Sequence, residues 1–187
     1  ENYDTVMCIG DYHVQEILEL EKTYNLPKKK LLKSGYFYFD YLNNKANLSE
    51  DKSNILIAPS WNYSENNFLN YKCEDLIKYL INKNFHVIFR PHPEHFKRSA
   101  KILLDIKKKF LNSSLFKFDD DKDNFTSMDK SFILITDNSG ISIEYLMIYK
   151  KPTIYFDGFS KIHNSDYKFL NLELFEEKIK RKFGYIY

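Results

Sequence analysis

The chain has 187 residues, 43% hydrophobic and 29% charged, with a formal net charge of +2. That suits one α/β domain, or one domain with a fragment of another, and supplies enough apolar mass for a core. It argues against nucleic acid as a partner, because so small a charge sets up no single-sign field, and no apolar run reaches the length of a bilayer span or patterns as a signal peptide. Cys8 and Cys73 lie far apart in apolar or helical contexts and read as buried free thiols of a reducing compartment. The many Tyr and Phe accompany Lys, Asn and Ile, a bias of composition and not an aromatic binding surface. Lys28-Lys29-Lys30 and Lys107-Lys108-Lys109 read as solvated faces, with weak attraction to an anionic membrane surface as the sharper alternative. The first residue is Glu1 and not Met, which leads us to expect an excised segment of a longer protein.

In chain order, Thr5 to Ile9 is a short apolar strand ending at Gly10, and Tyr12 to Tyr24 a helix with Asp11 as N-cap. Asn25-Leu26-Pro27 breaks it, and an apolar-centred run from Lys30 to Lys33 closes at Ser34-Gly35. From Phe39 to Asn54 the chain turns polar without a period, the expected linker. Asn54 to Ala58 is a continuous apolar strand of the kind buried on both faces of a parallel sheet, followed by a helix from about Phe68 to Asn82. Phe85 to Phe89 is the next strand, Phe96 to Leu111 an amphipathic lysine-rich helix, and Leu115 to Phe118 a short strand leading into Asp119-Asp120-Asp121. The strand Phe132 to Ile135, a helix opening after Gly140, the strand Pro152 to Phe156 and a helix over about Leu172 to Arg181 complete the pattern. Alternating strands and helices predict an α/β fold with a doubly wound, mostly parallel, Rossmann-like sheet.

Three strand ends carry unusual residues, and in such a sheet all face the carboxyl edge, where ligands bind. At Ala58-Pro59-Ser60-Trp61, Ser60 is a candidate, against the plainer reading of a strand terminator with a packed Trp. At Arg90-Pro91-His92-Pro93-Glu94 two prolines stiffen the loop around an imidazole. His92 can then donate to a phosphate oxygen, while Arg90 adds charge or holds the loop; a rigid turn satisfying its own carbonyls is the alternative. At Thr136-Asp137-Asn138-Ser139-Gly140, a turn opening a helix puts free N–H groups and small hydroxyls where an anion is favoured by hydrogen bonding and the helix dipole. Asn138, Ser139 and Gly140 are candidates for a diphosphate, and Glu144, five residues beyond Ser139, for a ribose diol. Ordinary N-capping by Asp137, Asn138 and Ser139 is the competing reading. His95 is a weaker candidate beside the His92 loop, and His13, His86 and His163 read as surface or packing residues. No His/Cys/Asp cluster has metal-ligand spacing, and there is no G-x-G-x-x-G, no G-x-x-x-x-G-K-[ST] and no G-x-S-x-G.

The order APSW (58–61), RPHPE (90–94), TDNSGISIEY (136–145) and KKPTIYFD (150–157) resembles the C-terminal half of CDP-glycerol glycerophosphotransferases, the teichoic-acid polymerases and primases of the GT-B type. TDNSGISIE is also similar to the S-G-G-x-x-E segment of UDP-N-acetylglucosamine 2-epimerases. The resemblance covers about Ile55 to Gly158, more weakly DTVMCIGDYHVQEIL and LLKSG. It implies a remnant of a preceding α/β domain and linker over residues 1–42 and a nucleotide-diphosphate-binding Rossmann-like domain over 53–187. It implies a CDP- or UDP-linked donor held by His92, Ser139, Gly140 and Glu144, with no cofactor and no metal. The acceptor site and catalytic base belong to an N-terminal domain, so no catalytic residue is assigned here and the isolated chain is expected to bind nucleotide without turnover. Location in the cytoplasm, at the inner membrane face, is implied too. The family usually has Asp at the Glu144 position and a second Ser at Gly140, departures that leave the donor open and keep a UDP-sugar 2-epimerase-like enzyme as an alternative. A noncatalytic α/β binding module is the third reading.

Overall fold

Alternating strands and helices do build parallel sheets here, in the computed structural model, which describes residues 3–46, 53–159, 161, 165–170 and 172–187. The chain divides into two compact units, Glu1–Asn44 with Ile162–Lys178, and Lys45–Lys161 with Ile179–Tyr187.

In the first unit β1 (Thr5–Cys8) pairs in parallel with β2 (Lys30–Lys33) through the crossover helix α1 (Asp11–Thr23). Asp11 is the first helical residue and not the cap: Gly10 holds the N-cap position and no side chain caps it. The α1 end is fixed instead by Glu21, whose carboxylate accepts from the Lys29 N–H at 2.7 Å. Where the sequence predicts a structureless linker, α2 (Phe37–Lys45) forms. Its aromatic residues meet other aromatics, Tyr38 stacked on Tyr41 and Phe39 edge-on to the preceding Tyr36, and only Leu42 is buried, so it lacks the apolar stripe by which a helix is recognised. The remainder of that predicted linker, 47–52, lies outside the described residues, as does His163.

The second unit is a six-stranded, wholly parallel sheet in the order β5-β4-β3-β6-β7-β8, formed by β3 (Asn54–Ile57), β4 (His86–Phe89), β5 (Phe116–Phe118), β6 (Ser131–Thr136), β7 (Thr153–Tyr155) and β8 (Tyr185–Ile186). Its helices are α3 (Glu74–Asn82), entered through a π-turn at Leu69–Cys73, α4 (Pro93–Arg98), α5 (Ala100–Phe110), α6 (Phe125–Asp129) and α7 (Ile141–Glu144), which runs on as a π-turn over Tyr145–Tyr149. The last helix, α8 (Phe175–Phe183), begins in the first unit and ends in the second. Alternate residues Ile55, Ile57, Val87, Phe89 and Ile135 pack with Ile77, Leu80, Leu103, Ile106 and Phe110, while the intervening Leu56, Ile88 and Leu134 are equally buried on the other face. Burial on both faces is why these strands read as unbroken apolar runs.

The predicted helix 96–111 is two helices, α4 and α5, broken at Ser99 (φ −126°). The Ser99 N–H bonds the His95 carbonyl and its hydroxyl lies 3.3 Å from His95 Nδ1, a local bond that competes with helix continuation. Besides α2, the sequence reading misses α6, hidden in a polar stretch, and β8, two residues on the sheet edge. Both cysteines are buried free thiols. Lys151 is also buried, its ammonium donating to the carbonyls of Met128, Asp129 and Ser131, and Lys180 reaches Asp157 at 2.6 Å. These bonds give the Lys-Pro and Phe-Asp ends of KKPTIYFD structural roles.

Candidate functional site

β4, β3 and β6 are neighbours, so their carboxyl ends bring the three unusual loops side by side. Beyond β3 the pairing continues: Ala58 N–H bonds the Ile135 carbonyl at 3.0 Å, Thr136 Oγ1 donates to the Ala58 carbonyl at 2.6 Å, and Arg90 N–H bonds the Ile57 carbonyl at 2.9 Å. Pro59 then turns the chain and buries Ser60 completely.

Ser60 joins the loops. Its N–H and hydroxyl both donate to the buried Asp137 carboxylate, each at 2.7 Å, and its carbonyl meets His95 Nε2 at 3.0 Å. The β6 loop is thereby tied to α4 through a residue of the β3 loop. Asp137 is the residue the sequence reading placed wrongly in emphasis, weighing it only as a cap; a carboxylate at a strand end is legible, but its partner 77 positions away is not. Burial lowers the His95 pKa, partly opposed by its bond to the Ser60 carbonyl, so a neutral ring serves as this connector.

His92 is half-buried, in the extended conformation that a following proline enforces (φ −59°, ψ 142°). It is the N-cap of α4, with Nδ1 accepting from the Glu94 N–H at 3.2 Å and Pro93 at the first helical position. An acceptor at Nδ1 fixes the neutral tautomer and leaves the proton on Nε2. Burial pushes its pKa down and the charge of Lys161 pushes it further, with Glu94 and Asp137 opposing. His92 is therefore a rigid neutral donor and not a cation.

Arg90 holds the loop after β5. It donates to Asp119 at 2.7 Å and to the Asp121 carbonyl at 3.0 Å, in a pair of which little is exposed. Burial raises the Asp119 pKa, but bonds from Ser127 and Arg90 outweigh it and hold the carboxyl below its usual value. The charge that the sequence offers at the site is thus engaged in the fold.

The TDNSG turn is not capped as ordinary caps are. Asp137 turns to Ser60, Asn138 Nδ2 donates to the Phe159 carbonyl at 3.1 Å, and the α7 N-cap position, Gly140, has no side-chain cap bond. The Ser139 carbonyl accepts from the Ser142 N–H and hydroxyl, which fixes the turn. Gly140 has helical angles (φ −58°, ψ −29°), is exposed, and has nothing within 4 Å of an added Cβ, so neither backbone strain nor crowding within the chain demands glycine there. Glu144 is half-buried and accepts from Asn124 Nδ2 at 3.1 Å; burial raises its pKa and that bond opposes the rise.

Ser60, His92 and the β6 loop are thus brought together through Asp137 and His95, while Arg90 and Glu144 each reach toward the segment after β5. Trp61 is half-buried under Arg98, whose guanidinium lies 5.2 Å from its ring. Among the described residues no three His, Cys, Asp or Glu cluster as metal ligands, and no helix is long and apolar enough to cross a membrane. Two of the three lysines in the run at 107–109 are ion-paired, Lys107 with Asp120 and Lys109 with Glu74.

The family model of CDP-Glycerol:Poly(glycerophosphate) glycerophosphotransferase matches residues 2–161. The chain belongs to that family. Among solved structures, the glycerophosphotransferase-family chain is similar to Methanocaldococcus jannaschii UDP-GlcNAc 2-epimerase in complex with UDP-GlcNAc and UDP, at 13% identity and a TM-score of 0.63, covering 98% of this chain and 50% of that one. It also matches the wall teichoic acid polymerase TagF (22% identity, TM-score 0.47, 81% of this chain and 38% of that). A third match is Thermosulfurimonas dismutans KpsC, a beta Kdo 2,7 transferase (14%, TM-score 0.37, 74% and 40%). No curated protein matches. The chain spans half the length or less of these structures. At such identities the epimerase likeness speaks for the fold alone, a mostly parallel Rossmann-like α/β sheet.

Proposed function

We propose that this chain is the donor-binding half of a GT-B type transferase, a glycerophospho- or glycosyltransferase of teichoic-acid or capsule synthesis acting in the cytoplasm at the inner membrane face. Family membership supports the transferase class. The observation that carries the donor role is the Asp137–Ser60–His95 chain of hydrogen bonds, which locks the His92 loop to a helix start with no side-chain cap. Such an arrangement offers a diphosphate the N–H groups of Gly140 and Ile141, ahead of the Ser142 and Ile143 N–H groups that bond the Ser139 and Gly140 carbonyls, with a neutral Nε2–H and the positive end of a helix. Gly140 lets the phosphate approach the backbone, Ser139 adds a hydroxyl, and Glu144 accepts from the ribose. Arg90 and Ser60 act one step back, by holding the loops. These groups stabilise the charge that develops on the departing nucleotide, an electrostatic role that the chain's own donors can perform.

In this proposal the acceptor site and the base lie in a further domain, in keeping with the half or smaller share of the matched structures that the chain spans. Glu144 and Gly140, where the family usually has Asp and Ser, favour one second reading, a UDP-sugar 2-epimerase. Calorimetric titration with CDP, UDP and CDP-glycerol tests the donor role, and no binding by any of them in folded protein would refute it. Release of the manno epimer or free UDP from UDP-N-acetylglucosamine would favour the second reading.

A further inference from the structure

Glu144 alone does not explain its own geometry. Its carboxylate sits half-buried on α7, in surroundings that disfavour its charge. The group that meets it is Asn124, twenty residues earlier, at the N-cap position of α6. Asparagine is among the best N-caps because its side chain accepts from the second or third helical N–H. Here the Asn124 side chain makes no cap bond; the α6 turn closes through the Asn124 backbone carbonyl and Met128 N–H at 3.0 Å. Its amide is directed instead at Glu144 Oε2, 3.1 Å away.

The support under Asn124 is firm. Two residues into α6, the Ser127 hydroxyl bonds Asp119, which Arg90 also holds, and the Ser127 carbonyl accepts from the Ser131 hydroxyl at 2.6 Å. A loop that would otherwise wander is fixed from both sides. We propose that Asn124 is a positioning residue for nucleotide binding: its amide holds one oxygen of Glu144, and the other is left to accept from a ribose diol. This rests on the reading of Glu144 as the ribose ligand. A carboxylate held by a donor keeps its charge and its rotamer more readily, whereas a half-buried carboxylate without one takes up a proton at higher pH. Tyr149 is a titratable group that senses Glu144, and burial keeps its phenol neutral, so it does not contribute a competing charge change.

The test compares the wild-type chain with Asn124→Ala, Glu144→Ala and the double variant. Binding of CDP and UDP, and of their 2′,3′-dideoxy counterparts, is measured by calorimetry from pH 5 to 8. Losing a hydrogen bond to a charged group predicts that Asn124→Ala weakens the ribonucleotide about tenfold. The double variant should be no weaker than Glu144→Ala, and neither single change should affect the dideoxy ligands. In Asn124→Ala the loss of affinity on acidification should begin at higher pH than in wild type. Asn124→Asp keeps the shape and puts a second carboxylate beside Glu144, so its affinity should improve as pH falls and the pair takes up a proton. Ribonucleotide affinity unchanged by Asn124→Ala, with Glu144→Ala weakening it, overturns the positioning role and leaves the ribose reading standing. Unchanged affinity in Glu144→Ala overturns the ribose reading itself.

Discussion

Asp137→Ala is the substitution for which the structure gives the sharpest expectation. Asp137 and Ser60 are 2% and 0% exposed, and both carboxylate oxygens accept from Ser60, one from its N–H and one from its hydroxyl, at 2.7 Å. Alanine leaves both donors buried without an acceptor. At about 1.5–3 kcal/mol for each of the two bonds to a charged group, the loss is about 3–6 kcal/mol. Ser60→Ala removes only the hydroxyl bond and should cost about 1.5–2 kcal/mol. Asp137→Asn keeps an oxygen for the N–H, and the Ser60 hydroxyl can rotate to accept from the new amide, so about 1 kcal/mol is expected. Urea unfolding at equal m-value measures all three, and the Ser60→Ala/Asp137→Ala cycle should be non-additive by about 1.5 kcal/mol. An Asp137→Ala cost below about 1 kcal/mol, or an additive cycle, would refute the claim that this pair locks the loops.

Other expectations follow from the same contacts. A Cβ at Gly184 would overlap the ring of the buried Tyr155 and crowd the Lys180 carbonyl, so Gly184→Ala should destabilise by about 1–3 kcal/mol in a thermal melt. Gly140→Ala, which meets nothing within 4 Å, should leave stability unchanged or raise it while weakening nucleotide binding. Arg90→Ala strands the buried Asp119 and should cost about 3 kcal/mol in urea unfolding. His92 and His95 both have folded pKa values below the unfolded one, so their neutral-state stability is complete above about pH 6.5 and is lost as pH falls through the folded values. Urea midpoints from pH 8 to 5 should show that decline, and in Lys161→Ala the NMR-titrated pKa of His92 should rise.

The strands of the second unit were legible because burial on both faces wrote them as apolar runs, and the three strand-end loops were legible because Pro, Gly and chemistry-bearing residues interrupt those runs. The helix α2 was not, since its aromatic side chains meet other aromatics and give no stripe. The division of labour within the site was the hidden part. Arg90 reads equally as an added charge or a loop holder until Asp119 is seen beside it, and Ser60 as either a ligand or part of a strand terminator until Asp137 is seen. Those pairings are 29 and 77 residues apart, and only folding brings them together. Asn124 carried no signal at all, because an Asn before a short helix looks like a cap whether or not it caps.

Titration of the folded chain with CDP, UDP and CDP-glycerol, repeated with His92→Ala, tests the central claim most directly. The account predicts saturable binding of at least one of these ligands in wild type and its loss in His92→Ala, in protein that stays folded with only the stability loss of about 1 kcal/mol that removing an N-cap side chain brings. Absence of binding by all three, or binding that His92→Ala leaves intact, would contradict it.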